Sequence, residues 1–327
     1  MPSPACRAAV AVWLLAASLA PGATPTPNPR ASGASLQLIS YTATVAQPRY
    51  RFNPMEAQLM AVAESTIRSV PEGFALQTLL TTAPDQLGLT PAEANGLLAG
   101  VRSAYDAIAA DPLFAGVPSA LPGCFSQQPD RAAQYFLYRP KQLTAQTPVI
   151  LWLHGYGGNF LFYVWVLHAA FPDHVLILPS LGLTWEHGNA ADVDGVLADA
   201  TRHLGQPLAR PWLMAISAGG PTACQVFTDR PATFRGLLCI ATCPTPEQVD
   251  RLPAASRILM VNGAQDRNFP VALVRRQAGA LAPRLPGFRY RELPADHFFL
   301  LTQRAATVQL MRQFMTAQMP RQPVPAP

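Results

Sequence analysis

From about residue 132 onward, short apolar runs alternate with longer stretches of helical character. We interpret the apolar runs as strands at 134–138, 148–153, 174–179, 211–216, 236–241, 257–262 and 288–293. Helices are predicted between them at 160–170, 190–204, 218–228, 271–282 and 302–318. Strands that are apolar on both faces and separated by helices indicate a mostly parallel, doubly wound sheet, so the sequence predicts an α/β fold. In such sheets functional side chains gather at the carboxyl ends of strands.

The first 22 residues have the pattern of a secretory signal peptide, in which one early charge, Arg7, precedes an apolar run at 8–20. The run is shorter than the roughly 20 apolar residues that a membrane-spanning helix needs, and no cysteine follows it. We therefore expect an exported protein, secreted or periplasmic, without a stable membrane anchor after cleavage. A Pro/Thr-rich linker is predicted at 23–35.

A mainly helical segment, the N-terminal extension, is predicted at 36–131. It opens with an apolar stretch typical of an edge strand, and a capping box of Thr90 and Glu93 starts its best-marked helix. The sequence leaves open whether the extension covers a site or supports the sheet; support is the interpretation we favour. The sheet domain is expected at 132–319, followed by a disordered tail at 320–327.

Composition excludes some classes of function. Half of the residues are hydrophobic and 13% are charged, which is enough apolar material for a large core. The formal net charge is +5, but the basic residues are scattered and no basic run is interleaved with aromatic residues. Nucleic-acid binding is therefore not expected.

Four cysteines remain once the signal peptide is removed: Cys124, Cys224, Cys239 and Cys243. An even number of cysteines in an oxidising compartment predicts one or two disulfides, whose pairing the sequence leaves open. No second pair of ligands accompanies Cys239 and Cys243 at a zinc-like spacing, so we predict no metal site.

A lone serine, Ser217, stands between the apolar run 211–216 and two glycines. The segment Ala215-Ile216-Ser217-Ala218-Gly219 fits the small-x-Ser-x-Gly pattern of a nucleophile elbow, a strained turn that joins a strand to a helix. From this motif alone, an ordinary turn serine is as good an interpretation as a nucleophile.

A glycine-rich turn, His154-Gly155-Tyr156-Gly157-Gly158, follows the strand at 148–153. Backbone N–H groups in such a turn can point into a cavity, and with the Ala218 N–H they would form a two-donor oxyanion hole. We expect Tyr156 to supply the second donor, with Gly157 as the next choice. The spacing does not match a phosphate-binding loop.

An aspartate and a histidine follow two later strands. Asp266 lies in the loop after 257–262, and His297 lies after the last strand. Each alone is more often a turn former or a packed side chain, but the order Ser217, Asp266, His297 is that of a triad. Asp296 is a rival acid, although its carboxylate would reach the adjacent ring poorly.

The segments "TPVILWLHGYGGN", "ISAGG", "ILMVNGAQDRNFP" and "RYRELPADHFFL" together resemble the α/β-hydrolase superfamily, over roughly 132–318. They are most similar to secreted bacterial esterases of the polyhydroxyalkanoate depolymerase and feruloyl esterase type, and to prolyl-oligopeptidase-like hydrolases. The resemblance implies Ser217 as nucleophile, His297 as base, Asp266 as its orienting acid, and Tyr156 and Ala218 amides as oxyanion donors. One departure is Ala215, where the family usually has glycine.

The resulting hypothesis is a secreted serine hydrolase that cleaves carboxylic esters, small or polymeric, through an acyl-enzyme and without a cofactor. Trp185 and His187, in the loop after 174–179, are candidates for the substrate rim. Two alternatives stay open: a serine peptidase on the same triad, and a binding protein that has the fold but no turnover.

Overall fold

A mixed sheet forms the centre of the computed structural model, which describes residues 33–43, 54–87, 89–125, 132–185 and 188–317. The described residues form eight strands: β1 (Ser35–Thr42), β2 (Ala132–Arg139), β3 (Val149–Leu153), β4 (Val175–Ser180), β5 (Trp212–Ile216), β6 (Gly236–Ile240), β7 (Ile258–Gly263) and β8 (Phe288–Leu293). The predicted signal peptide, most of the linker and the tail lie outside the described residues.

The strand order across the sheet is β1-β2-β4-β3-β5-β6-β7-β8. β2 is antiparallel to both of its neighbours, β1 and β4, and every other neighbouring pair is parallel. This order, with its antiparallel β2 and helical crossovers, is that of the α/β-hydrolase fold, so the predicted fold class is confirmed. The predicted strands agree with β2 to β8 to within two residues at each end.

Helices cover both faces of the sheet. They are α1 (Pro54–Ser69), α2 (Glu72–Thr82), α3 (Pro91–Ala110), α4 (Leu121–Phe125), α5 (Leu161–Ala170), α6 (Ala190–Leu204), α7 (Gly220–Asp229), α8 (Pro246–Arg251), α9 (Val271–Leu281), α10 (Phe299–Thr302) and α11 (Arg304–Thr316). One hydrophobic core lies between the sheet and α6, α7 and α9, and the other between the sheet and α3, α5 and α11. Every residue of β3, β5, β6 and β7 is buried between them, which explains why these strands are apolar throughout, apart from Asn262 in β7.

The N-terminal extension joins the sheet through β1 and then forms α1 to α4. The predicted capping box is present: the Thr90 side chain accepts from the Glu93 N–H, and the Glu93 carboxylate accepts from the Thr90 N–H. The sequence did not indicate α2, which begins after Pro71 without a side-chain cap. α4 and α8 were also not predicted, and the predicted helix 302–318 is two helices interrupted at Gln303.

A buried carboxylate, Glu72, ties the extension to the sheet domain. It accepts hydrogen bonds from the hydroxyls of Tyr105 in α3 and Ser119, and from the Leu161 N–H at the start of α5 (2.7 Å). Because burial disfavours the charged form more than these hydrogen bonds favour it, the pKa of Glu72 is raised to about 7. The carboxylate therefore links three chain segments at one point.

The predicted disulfides do not form: Cys124, Cys224, Cys239 and Cys243 are all buried free thiols. The Sγ atoms of Cys224 and Cys239 are 3.8 Å apart, whereas a disulfide bond is about 2 Å long. The two thiols instead pack inside the core between β6 and α7. Among the described residues, no helix is long and apolar enough to cross a bilayer, and no three potential metal ligands cluster together.

Candidate active site

Ser217 occupies a sharp turn between β5 and the helical turn that leads into α7. Its φ is +50°, a left-handed conformation that costs a non-glycine residue on the order of 1 kcal/mol or more. A Cβ on Gly219 would lie 2.5 Å from the His154 carbonyl oxygen and 2.8 Å from that of Leu153. Only glycine fits there, because the helix start packs directly against the end of β3.

His297 joins the serine to a buried aspartate. Its Nε2 is 2.8 Å from Ser217 Oγ, and its Nδ1 is 2.8 Å from Asp266 Oδ2. The other oxygen of Asp266 accepts from the N–H groups of Asn268 (2.9 Å) and Phe269 (2.8 Å). With Nδ1–H donating to the carboxylate, Nε2 is the acceptor for the serine hydroxyl. The three side chains are thus brought together in the order that the sequence predicts.

The loops that carry the aspartate and the histidine are joined along their backbones. The Ala264 N–H donates to the Leu293 carbonyl (2.8 Å), and the Gln265 N–H donates to the Ala295 carbonyl (3.0 Å). Asp296, the rival acid, accepts instead from the Phe298 N–H (2.9 Å). The carboxylate that contacts His297 is therefore that of Asp266.

The glycine-rich loop after β3 lies on the other side of the serine. A Cβ on Gly155 would be 3.2 Å from Ser217 Cβ, so the two backbones approach closely. The Gly157 N–H donates to the Leu183 carbonyl (2.9 Å), which makes this second-choice oxyanion donor unsuitable. Ala218 lies in the first helical turn, where N–H groups have no carbonyl partner within their own helix. The Tyr156 and Ala218 amides remain the candidates for the oxyanion hole.

The buried His154 side chain holds this loop in place through hydrogen bonds at both ring nitrogens. It is fully buried, its Nδ1–H donates to the Gly155 carbonyl (2.7 Å), and its Nε2 accepts from the Leu181 N–H (3.3 Å). Burial lowers the pKa of His154 to about 4, so the ring stays neutral at ordinary pH. A neutral ring held at both nitrogens fixes the loop without adding charge near the serine.

A cavity of about 460 Å³ opens onto Ser217 and His297. The extension supplies much of its wall through Leu76, Leu79, Leu80, Leu87, Leu97, Val101 and Tyr105. The sheet domain supplies further apolar residues, among them Phe160, Leu183, Phe298 and Leu301. The interpretation of the extension as a mere support is therefore wrong, because α2 and α3 line the cavity in front of the serine.

Of the two residues predicted on the substrate rim, the structure describes only Trp185. Trp185 is 1% exposed and packs within the core on the α6 and α7 side of the sheet, so it does not lie on the rim. Its carbonyl accepts from the Thr222 hydroxyl in α7, and Gly188 packs against its ring, which turns the loop after β4 inward. His187 lies outside the described residues.

Sequence reasoning missed most of the cavity wall. Leu183 follows β4 two residues before Trp185, and Phe298 and Leu301 lie one and four residues after His297. The spacing of Leu97 and Val101 on one face of a well-capped helix was the signal for an apolar surface, but it did not indicate which partner covers that surface.

Comparison with known proteins gives no sequence match: no protein-family model and no curated protein matches the chain. Solved structures with a similar fold include one described as a predicted CIB-like hydrolase from Thermoplasma acidophilum, with 18% identity and a TM-score of 0.44, covering 56% of this chain and 92% of that one. Another is the esterase Pf2001 of Pyrococcus furiosus, with 10% identity and a TM-score of 0.46, covering 58% and 86%. Because both TM-scores are low, the fold is identified here from the strand order.

Proposed function

We propose that the chain is a serine hydrolase that cleaves carboxylic esters through an acyl-enzyme intermediate. The observation that carries this proposal is the hydrogen-bonded series Ser217–His297–Asp266, with 2.8 Å at each of its two links, at the mouth of an apolar cavity. A strained serine held against an imidazole, itself oriented by a buried carboxylate, is the arrangement that nucleophilic acyl transfer requires.

The first half-reaction forms the acyl-enzyme. His297 Nε2 takes the proton of Ser217 Oγ as that oxygen attacks the ester carbonyl. The Tyr156 and Ala218 amides stabilise the oxyanion, each contributing on the order of 3 kcal/mol in the transition state. His297 then gives the proton to the leaving alcohol as the carbon–oxygen bond breaks.

The second half-reaction releases the acid. His297 takes a proton from water, which attacks the acyl-enzyme, and returns that proton to Ser217. Throughout both steps Asp266 keeps Nδ1 protonated and offsets the charge of the imidazolium. Its two backbone hydrogen bonds hold the carboxylate in position for this role.

The test compares the parent protein with Ser217→Ala on p-nitrophenyl esters, and treats both with a serine-directed fluorophosphonate. We expect hydrolysis and a single covalent label on Ser217 in the parent, and neither in the variant. A parallel assay with the matching anilides distinguishes an esterase from a peptidase. Equal ester hydrolysis by both proteins would contradict the assignment of Ser217, and a parent that is not labelled would favour a binding protein.

We further propose that the protein is exported. The support is the charged start and apolar run of the first 22 residues, which the sequence alone provides. N-terminal sequencing of the protein from a periplasmic or culture fraction should find a start close to residue 23. An uncleaved N-terminus in the membrane fraction would overturn this proposal.

A further inference from the structure

The cavity in front of Ser217 is lined mainly by apolar side chains. Among the described residues that line it there is no Asp, Glu, Lys or Arg, and most are leucine or phenylalanine. A charged group placed there would lose its hydration without gaining a partner, which is costly. The ligand that fits this cavity is therefore uncharged and apolar.

Part of the apolar lining belongs to two separate packing clusters, one next to His297 and the other next to the glycine-rich loop. Phe298 and Leu301, which follow His297, pack with Leu97 and Val101 of α3. α3 and the segment after His297 approach each other closely at Gly100, where a Cβ would be 3.3 Å from Leu301 Cγ. We name Leu97, Phe298 and Leu301 the histidine-side wall.

The second cluster lies beside the glycine-rich loop. Leu183, whose carbonyl accepts from the Gly157 N–H, packs with Leu79 of α2 and Phe125 of α4. The loop itself is pressed against α4, since a Cβ on Gly158 would be 3.0 Å from Cys124 Sγ. We name Leu79, Phe125 and Leu183 the oxyanion-side wall.

The chemistry of acyl transfer assigns these walls to the two halves of a substrate. In the tetrahedral intermediate the carbonyl carbon carries Ser217 Oγ, the oxyanion, the acyl group and the leaving oxygen. The leaving oxygen must receive the proton from His297 Nε2, so the alcohol lies on the histidine side. The acyl group then extends away from His297, towards the oxyanion side.

We propose that the enzyme selects uncharged esters that are apolar on both sides of the scissile bond, with the alcohol against the histidine-side wall and the acyl chain against the oxyanion-side wall. This inference rests on the proposed function. A group the size of a water molecule occupies roughly 30 Å³, so the cavity holds about 15 non-hydrogen atoms in all. The fitting substrates are therefore medium-chain esters.

The experiment measures kcat/KM for two ester series by titrating the released acid. One series varies the alcohol of a butyrate from methyl to octyl, and the other varies the acid of an ethyl ester from acetate to decanoate. In the parent protein we expect kcat/KM to rise by up to about fourfold per methylene in both series, until the wall is reached. The monoethyl ester of succinic acid, which carries a charge, should be cleaved far more slowly than ethyl butyrate.

Two matched variants, one in each wall, then test which wall contacts the alcohol and which contacts the acyl chain. Leu301→Trp should shorten the longest alcohol accepted and leave the acyl-chain optimum in place, whereas Leu183→Trp should do the reverse. Leu301→Ala and Leu183→Ala should lengthen the optimum of the corresponding series, which keeps the test valid if a tryptophan prevents folding. Val62→Trp, at a position of α1 that is 47% exposed, is the control for tryptophan itself and should alter neither optimum.

Fluorophosphonate labelling of each protein distinguishes a failure of the proposed ester selection from a failure of the proposed hydrolase function. If the parent is labelled but shows flat chain-length profiles, or cleaves the succinate ester as fast as the butyrate, apolar selection is wrong while the hydrolase assignment stands. If Leu301→Trp restricts the acyl series instead, the assignment of sides is wrong. A parent that is neither labelled nor active on any ester would overturn the proposed function together with this inference.

Discussion

Replacing Glu72 by glutamine should remove a pH dependence of stability that the buried carboxylate creates. In the parent, the pKa of Glu72 is raised from 4.5 to about 7, chiefly because burial penalises its charged form. The folded state therefore holds this proton more tightly than the unfolded chain does. Between pH 4.5 and 7 the unfolded chain releases the proton while the folded protein keeps it, so the free energy of unfolding falls as pH rises through that window.

The size of the effect follows from the same values. A shift from 4.5 to about 7 corresponds to roughly 3 kcal/mol, at about 1.4 kcal/mol per pKa unit. The loss is complete above about pH 7. The neighbouring ionisable groups do not interfere, because burial raises the pKa values of Tyr105, Tyr163 and Cys124 further above their ordinary range. Glutamine resembles the protonated carboxyl in shape and has no charge to desolvate.

The assay is urea unfolding of the parent and Glu72→Gln at pH 5 and pH 8, followed by tryptophan fluorescence. Other groups also titrate in this range, so the informative quantity is the difference between the two proteins at each pH. Because part of the loss has already occurred at pH 5, we expect the parent to lose about 2.5 kcal/mol more than the variant between pH 5 and pH 8. Glu292→Gln is the control, because pairing with Arg275 lowers the pKa of Glu292 and places its titration below this window.

An equal pH dependence in the parent and in Glu72→Gln would refute this reasoning. It would mean that water reaches the carboxylate, or that the contact between α2 and α5 opens before the rest of the protein unfolds. A parent that becomes more stable on going from pH 5 to pH 8, relative to the variant, would reverse the sign and identify Glu72 as an ordinary ionised acceptor.

Three further outcomes are expected. Asp266→Asn should reduce kcat/KM for p-nitrophenyl esters by about 10³-fold or more with the fold retained by circular dichroism, since an amide would stabilise the wrong tautomer of the histidine. Gly219→Ala should lower the free energy of unfolding by about 2 to 3 kcal/mol in a urea titration, because the added Cβ would lie 2.5 Å from the His154 carbonyl oxygen. Gly279→Ala is the matched control: its Cβ would lie in open space on α9, so the same titration should show an increase of about 1 kcal/mol. The four described cysteines should react with a thiol reagent only after unfolding; fewer than four reactive thiols in the unfolded, unreduced protein would indicate a disulfide.

The strands and the three-residue constellation could be predicted because they depend on local patterns. Buried strands require continuous apolar runs, and the carboxyl ends of parallel strands meet at one edge of the sheet. Ser217 and Asp266 each follow a buried strand and His297 follows β8, the parallel strand at the edge of the sheet, so their order along the chain was sufficient to place them together. Ser217 also has a local signal in its small neighbours, which the strained turn requires.

The cavity wall and the loop after β4 could not be predicted because long-range packing decides them. Whether Trp185 points to solvent or into the core depends on Gly188 and on the Thr222 hydroxyl, which lies in a different helix. The covering role of α2 depends on Glu72, whose partners are distant in sequence. Similarly, the cysteine count predicted disulfides, but the positions of β6 and α7 bring two thiols only into van der Waals contact.

The backbone bonds between the loops after β7 and β8 divide the site into two mechanical parts. Asp266 and His297 belong to one part, because Ala264 and Gln265 anchor their loops to each other. Ser217 belongs to the other, since its turn is packed against the end of β3. A distortion of the sheet is therefore expected to change the distance between Ser217 and His297 more than the distance between His297 and Asp266. The histidine and the aspartate are thus positioned together as one unit, and the alignment of Ser217 with that unit depends on how its turn packs against the end of β3.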